Sequence, residues 1–414
     1  MAEAQWIDVV WTDLVGRSRI VRSTREACEA GEVRVAAEQI SAGFAPGRSA
    51  LTAAEAVLTV DWSSERAVPW DEGTSVCCAD VWEQGAPSPR CTRSFLRRVA
   101  EDAAGRGLSV RAAVELEFFL VDPATGRPVY DQIDNYSLSR VETESVVSAV
   151  RNQMRAMAVA VEASNPEYGG GQVEINIAHA DLLAAADQAT LARLFTGVLA
   201  GQQGLDATFM SKPWTEQSSS GIHVHQSAWR DGRNLFFAPP EKLSDLGRSY
   251  LAGLLESVPQ FALLGSPTPN GFHRRTDGSF APTVASWATD NRTTSVRAVL
   301  GGEAGTRVEH RDGGSDCNIY LTMGAQVLAG LDGVDRGISP PAPVVGNAYE
   351  QDLPQLPRTF VEAFDALRDS ELAGRLLPAQ LLDAYLDVLA PELEMAVINA
   401  ADWERERYGG VPLR

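Results

Sequence analysis

Four short segments carry acids, histidines or arginines at every second position. They are Val114-Glu115-Leu116-Glu117-Phe118-Phe119-Leu120, Gln172-Val173-Glu174-Ile175-Asn176-Ile177, His223-Val224-His225 and Arg307-Val308-Glu309-His310-Arg311. A β-strand alternates its side chains between two faces, so each segment sends its polar groups one way and mostly apolar groups the other. Four such strands in one sheet would present a charged, wet surface over an apolar core. Clustered carboxylates and imidazoles need neutralising, and hard divalent cations do so best. The arginines of the last segment would then hold an anionic substrate or a phosphate.

Taken singly, each motif also has a plain structural reading. Glu115-x-Glu117 alone is most often a solvated sheet edge, but the Phe118-Phe119-Leu120 that follows points to burial, where paired acids require a counter-ion. Glu167 and Glu174 flank Gly169-Gly170-Gly171, whose glycines permit a tight surface turn or a close approach to a ligand. His223 and His225 are two of only five histidines. They share one strand face after the loop Ser218-Ser219-Ser220, a common metal- or phosphate-binding device as well as a common structural one. Arg292, Arg297, Arg307 and Arg311 fall within twenty residues. There Arg307-x-Glu309-x-Arg311 sets one acid between two bases, as a site holding both cations and carboxylates requires.

The elements that must position these groups can be sketched from the chain. Residues from about 5 to 85 form a small strand-rich unit, with Trp6 to Trp11 and Ser18 to Val21 paired around a Gly16 turn. Ala53 to Asp61 and Thr74 to Val81 add strands. The connector Gly85-Ala86-Pro87-Ser88-Pro89 ends this unit, and a helix from about Cys91 to Ala104 leads into the first acidic strand. Helical periodicity covers Glu142 to Ala163, Ala184 to Gly201 and Cys317 to Leu331, and resumes between Phe360 and Arg405. The Pro/Gly-rich stretch from Gly265 to Ala288 is long for a loop, and long loops tend to be functional.

Bulk properties narrow the class. The chain has 414 residues, 44% of them hydrophobic, enough for a sizeable core and two or more domains. A net charge of −19 and the absence of any Lys/Arg cluster argue against a nucleic-acid partner. Arginine dominates the bases, since Lys212 and Lys242 are the only lysines. No signal peptide and no run of roughly 20 apolar residues is expected, hence no membrane partner. The five cysteines (Cys28, Cys77, Cys78, Cys91, Cys317) lack metal-ligand spacing, which reads as a reduced, cytoplasmic protein.

In this order, the motifs resemble the glutamine synthetase family. The matching stretches are Val114 to Phe119, Gly171-Gln172-Val173-Glu174, Lys212-Pro213, Gly221-Ile222-His223-Val224-His225, Asn291-Arg292 and Arg307 to Arg311. The resemblance runs from about residue 5 to the C-terminus. It implies an α+β protein, with an N-terminal β-grasp domain (1–88) and a catalytic domain (89–414) built on a twisted antiparallel sheet flanked by helices. It implies ATP and two to three Mg²⁺ or Mn²⁺ ions per site, and a homo-oligomer, a dodecamer of two stacked hexamers. By the same resemblance, Glu117, Glu167 and Glu174 are ligands of the metal beside the amino-acid substrate. Glu115, His223 and Glu309 are ligands of the metal on the ATP phosphates. His225, Arg292, Arg297 and Arg307 contact the nucleotide phosphates, and Arg274 and Arg311 bind the glutamate carboxylates. Arg292 and Glu309 are then the candidate catalytic residues. The implied reaction is transfer of the ATP γ-phosphoryl group to a carboxylate, followed by attack of an amine on the acyl phosphate.

The departures from the family are informative. Ammonia-using members carry a flap glutamate before an Ala-Pro pair, whereas here Phe280 precedes Ala281-Pro282. They also supply an Asp-Gly-Ser-Ser stretch, and the nearest segment here, Ala42 to Gly47, has no aspartate. Ser218-Ser219 replaces an Asn-Gly pair that contacts glutamate. Trp287-x-x-Asp290-Asn291-Arg292-Thr293 resembles the γ-glutamyl-amide ligases, including the glutamate–putrescine type. The expectation is therefore a ligase that joins glutamate to a small organic amine, with Phe280 as an apolar wall, and loss of both acids favours a neutral-tailed monoamine over a polyamine. The competing readings are an ordinary ammonia-using synthetase and a non-catalytic relative; the retained cluster of acids and His223 argues against the latter. Tyr349 lies near the tyrosine that some members adenylylate, in a stretch with too few matching residues to imply that modification.

Overall fold

The computed structural model of this chain describes residues 3–41, 43, 54–130 and 141–398. Its N-terminal sheet holds β1 (Trp6–Thr12), β2 (Ser18–Thr24), β3 (Arg34–Ala36), β4 (Glu55–Val60) and β5 (Thr74–Glu83), in the order β2-β1-β5-β4-β3. The hairpin read from the sequence is present, with Trp6 opposite Thr24 and Thr12 opposite Ser18. β1 then pairs with β5 in parallel. β1 is apolar along most of its length because both its faces are covered. Ile7, Val9 and Trp11 enter the N-terminal core, while Val10 turns to the main core.

The larger sheet holds β6 (Ser109–Asp122), β7 (Val161–Pro166), β8 (Gln172–Asp181), β9 (Gly221–Arg230), β10 (Trp287–Thr289), β11 (Val296–Val299) and β12 (Arg307–Gly314). Their order is β7-β8-β6-β9-β12-β11-β10. All four motif-bearing segments are therefore adjacent, in β8, β6, β9 and β12. Pairing among them is antiparallel, as expected, but the edge strands β10 and β11 run parallel. Val114, Leu116, Phe118, Val173, Ile175, Ile177, Ile222, Val224 and Val308 fill the opposite face and join one continuous core. Burying each such side chain contributes roughly 1.5–3 kcal/mol, so a one-residue slip of register would be heavily penalised.

Helices pack over that apolar face and on one another: α1 (Thr92–Gly105), α2 (Val141–Ala156), α3 (Leu182–Gly201), α4 (Asp245–Ser257), α5 (Ile319–Arg336), α6 (Phe360–Arg368) and α7 (Ala379–Ile398). Two expectations need correction. The helix read over Glu142 to Ala163 ends at Ala156; Ala158 takes a left-handed φ of 55°, and the chain enters β7 at Val161. α3 is, against expectation, long and apolar enough to cross a membrane by composition. It is instead a core helix whose polar groups are used inside the protein. Arg93 donates to its Asp187 at 2.8 and 2.7 Å, and its Arg193 donates to the carbonyls of Ser315 and Cys317 at 3.1 and 2.7 Å.

These bonds also lock the N-terminal sheet to the rest. Arg93 reaches Asp61 at 2.7 Å and Asp80 at 3.2 Å, and Tyr320 donates to Asp187 at 2.8 Å. The Gly16 turn sits against the N-terminus of α5 at φ 92°, where a Cβ would lie 2.7 Å from the Cα of Asn318. Asn318 caps α5 and donates to the carbonyls of Asp13 and Leu14 at 2.9 and 3.1 Å. All five cysteines are free and buried. The last residues of the expected C-terminal helical region lie outside the described residues.

Candidate active site

The sheet register brings the alternating groups together. Glu117 lies opposite Glu174, and Glu115 opposite both Asn176 and His223. Glu309 lies opposite His225 on one side and Arg297 on the other. The Glu115 carboxylate bridges both histidines, 2.9 Å from His223 Nδ1 and 2.9 Å from His225 Nε2. Arg307 Nε donates to His225 Nδ1 at 3.0 Å, so that nitrogen accepts and the ring hydrogen belongs on Nε2, toward Glu115. Glu309 is fully buried and accepts from Arg297 and, at 2.5 Å, from Arg311 Nη1.

Two cavities meet at this cluster. The first, about 570 Å³, is lined by Arg111, Glu115, Asn176, His179, His225, Trp229 and Arg307, among others. The second, about 450 Å³, is lined by Glu117, Glu167, Tyr168, Glu174, His223, Arg274, Phe280, Arg292 and Arg311, among others. Glu115 faces the first cavity while its partner His223 faces the second, so the bridged pair forms the wall between them. One cavity mixes Arg and His with Arg111, whose guanidinium lies 4.6 Å over the Trp229 ring. In the other, Glu117, Glu167 and Glu174 share the lining with the buried Arg274 and Arg311.

The acids fall into two electrostatic groups. Burial alone would raise Glu309, but His225, Arg311, His223 and Arg297 outweigh it and bring the group down to about 2. Glu115 is likewise held low against burial by hydrogen bonds from His223 and His225. In contrast, burial and the charges of Glu174 and Glu167 push Glu117 well up, despite a 2.8 Å bond from the Gly221 N–H. Glu174 rises to about 7 through burial, Glu115 and Glu167, although the amides of Asn165 and Asn176 each donate to it at 3.1 Å. Burial also raises Glu167. Crowded carboxylates that resist losing their protons are a donor set completed by cationic charge.

Two ligand-sized triplets stand out among the described residues: Glu115, Glu174 and His223, and Glu115, His225 and Glu309. In each, the candidate donor atoms lie within 4.8 Å of one another. Oxygen donors with one imidazole per group fit Mg²⁺ or Mn²⁺. Glu117 and Glu167 fall outside both triplets but line the cavity beside them. His225, which the resemblance assigns to phosphate, completes the second triplet.

The arginines sort by place. Arg307 faces the first cavity, and Arg292 is an exposed residue at the rim of the second. Arg297 is committed to Glu309 and lines neither cavity. Arg274 and Arg311 are nearly fully buried, and the Nε of each has no hydrogen-bond partner. A buried guanidinium N–H left unpaired is costly, and both side chains line the second cavity, where an anion would meet their positive charge. Behind them runs a closed ion pair. Arg275 donates Nε to Asp312 Oδ1 at 3.1 Å and Nη2 to Oδ2 at 2.7 Å, while Arg274 donates to the Asp312 carbonyl at 3.2 Å.

Several lining residues were not foreseen. Arg111, Ser227 and Trp229 simply continue the period-two faces of Glu115 and His225, and Asn176 continues that of Glu174; extending the alternation outward would have found them. Tyr168 stacks on Phe280, with ring centroids 5.7 Å apart and planes at 18°, a contact between two loops that no local pattern signals.

Residues 89–408 match the family described as glutamine synthetase, catalytic domain. The chain belongs to the glutamine synthetase family. Among its relatives, glutamate–isopropylamine ligase from Pseudomonas sp. is 34% identical over 85% of this chain and 80% of its own length. γ-Glutamylethanolamide synthetase GlnA4 from Streptomyces coelicolor is 34% identical over 84% and 78%. The glutamine synthetase of Thermotoga maritima is 30% identical over 82% of each chain. A ligand-free structure of GmaS superposes with a TM-score of 0.89 at 25% identity, covering 98% of this chain and 97% of that one. This family member is accordingly a ligase, with the mixed helix-and-strand fold of glutamine synthetase.

Proposed function

We propose that this enzyme uses ATP to phosphorylate the γ-carboxylate of glutamate and then condenses the acyl phosphate with an organic amine, giving a γ-glutamyl amide. The observation that carries the choice of amine is Phe280. It occupies the flap position before Ala281-Pro282, stacks on Tyr168, and faces the cavity that holds Arg274 and Arg311. A phenyl ring cannot take a proton from ammonium, but it can cover an alkyl group. Two relatives named for isopropylamine and ethanolamine support the same reading.

In this reading the nucleotide enters the first cavity, with Arg307 and His225 at its phosphates, Arg292 on the side of the transferring group, and Arg297 acting through the Glu309 it holds. Glutamate enters the second, its carboxylates paired with the guanidinium groups of Arg274 and Arg311 that line it. The γ-phosphoryl group passes to the glutamate side chain with ADP as the leaving group, the amine attacks the acyl carbon as its free base, and phosphate leaves carrying the proton lost from nitrogen. Arg311, bonded to Glu309, stands where negative charge develops, so its orientation is fixed before substrate arrives. Glu117, Glu167 and Glu174 would hold a metal beside glutamate, and Glu115, His223 and Glu309 one at the nucleotide. When bound, these Mg²⁺ or Mn²⁺ ions neutralise phosphate charge and draw the two substrates together. Burial of the cluster excludes water that would hydrolyse the acyl phosphate.

We propose further that residues 1–88 form a β-grasp unit and 89–414 the catalytic domain, that copies assemble as a dodecamer of two hexamers, and that the enzyme is cytoplasmic. The fully reduced, buried cysteines support the last point. The test is phosphate release from ATP with Mg²⁺ and glutamate, across ammonia, monoamines, amino alcohols and diamines. Turnover with an organic amine and little with ammonia supports the reading. Preference for ammonia overturns it, and no turnover with any amine overturns glutamate as the acid.

A further inference from the structure

Tyr168 and Phe280 are among the few large apolar side chains left exposed, at 44% and 45%. Both line the cavity of the buried arginines. Neither is loosely held. Phe280 takes a left-handed φ of 61°, which a bulky side chain adopts only when its surroundings impose it. Those surroundings are visible. Ser279 Oγ lies 2.8 Å from the Arg274 carbonyl and 2.6 Å from that of Thr276, and the Tyr349 hydroxyl donates to the Ala281 carbonyl at 2.9 Å. Tyr168 is fixed from the other side. Its neighbour Gly169 donates to Gln172 at 3.0 Å, and a Cβ there would lie 2.5 Å from the Phe119 ring. Gly170 donates to Gln217 at 2.9 Å. Two exposed rings are thus pinned against each other from two independent loops, beside a buried anion-binding pair.

Resting on the glutamate–amine reading above, we infer that Tyr168 and Phe280 form an aromatic wall that selects primary monoamines with a short uncharged tail, and that Tyr349 is the positioning residue that holds this wall. The tail lies along the ring faces while the nitrogen points inward, toward the acids and the acyl carbon. The exposed Arg292 guanidinium at the rim opposes a second ammonium. Glu216 is already paired with Arg127, and the Asp277 carboxylate accepts from Thr283 at 3.2 Å. A diamine would therefore place its distal ammonium in the cavity that Arg292 lines, where Glu216 is already neutralised by Arg127.

The experiment is steady-state kinetics of the full chain with Mg²⁺-ATP and glutamate. The amines are methyl-, ethyl-, propyl- and butylamine, with putrescine as the diamine of matching length and ammonia as reference. Each added methylene that reaches the rings should raise kcat/KM about three- to fourfold, and putrescine should fall at least tenfold below butylamine. F280A and Y168A should each flatten the dependence on tail length and leave KM for ATP unchanged, while Y168F, which keeps the ring, should restore the slope. Y349F should raise KM for the amine and flatten the slope partly, again with KM for ATP unchanged. Organic-amine turnover with a slope that survives both alanine variants, or a preference for putrescine over butylamine, overturns the wall alone. Turnover confined to ammonia overturns the ligase reading and the wall with it.

Discussion

Replacing Asp312 with leucine should be far more damaging than replacing Asp312 and Arg275 together. Both side chains are almost fully buried behind β12 and share two hydrogen bonds, at 3.1 and 2.7 Å. D312L leaves the Arg275 guanidinium buried with the Pro357 carbonyl and the Phe272 ring as its remaining close partners. An uncompensated buried charge costs about 3–5 kcal/mol, whereas swapping a whole buried pair for apolar residues is neutral or stabilises by about 1–4 kcal/mol. An unfolding entropy of about 2.1 cal/mol/K per residue over 414 residues gives roughly 0.9 kcal/mol/K. The single variant should thus melt about 3–6 °C lower, and R275L/D312L should return to the wild-type midpoint or pass it. Circular dichroism melts of all four members of the cycle, at one protein concentration and without ligands, provide the measurement. A double variant as unstable as D312L, or a D312L midpoint within one degree of wild type, would refute the reasoning.

Other outcomes follow from the same chemistry. E309Q should cut turnover at least a thousandfold, because it unpairs Arg297 and Arg311 and removes a proposed metal ligand; phosphate release measures it, with a melt to show that the fold persists. R274Q or R311Q should raise KM for the acid substrate at least tenfold and leave KM for ATP nearly unchanged. Glu174 is raised to about 7, so its contribution to stability is present below about 4.5 and is lost as pH climbs through 7. Glu309, lowered to about 2, contributes above about 4.5 and loses that contribution as pH falls through 2. Metal-free melts should therefore decline between pH 5 and 7 (through Glu174), and Mg²⁺ should stabilise more at pH 8 than at pH 6; a metal effect equal at both would count against the carboxylate cluster as its site. Finally, G253A should destabilise by about 1–3 kcal/mol, since a Cβ there would sit 2.1 Å from the Ala329 carbonyl where α4 crosses α5; an unchanged urea midpoint would contradict so close a crossing.

The sheet and its polar face were legible because period-two alternation is a strong local signal. Glu115, Glu117, Glu174, His223 and Glu309 were read as one surface, and the register aligns them. Signals that depend on distant partners were not legible. The Tyr168–Phe280 stack joins residues more than a hundred positions apart, and the Arg275–Asp312 pair sits on the faces away from Arg274 and Arg311. The helix overrun past Ala156 has a local cause. Ala/Val-rich sequence through Val159-Ala160-Val161 suits both helix and strand, and the Ala158 turn that decides between them carries no glycine to mark it. Ala42 to Gly47, apart from Gly43, lie outside the described residues.

The division of parts between sheet and flap has an evolutionary consequence. The acids are spaced by the backbone lattice itself, with neighbouring strands about 4.8 Å apart and same-face residues two positions along. Moving one would mean rebuilding several strands. The residues proposed to meet the nucleophile ride instead on the segment 276–283 and on the turn after Glu167, which touch the lattice only at its margin. Mutation can therefore trade one amine for another while the phosphoryl-transfer apparatus stays as it is. A lineage built this way can explore new nitrogen donors by altering a few loop positions, without first surrendering its ability to activate a carboxylate.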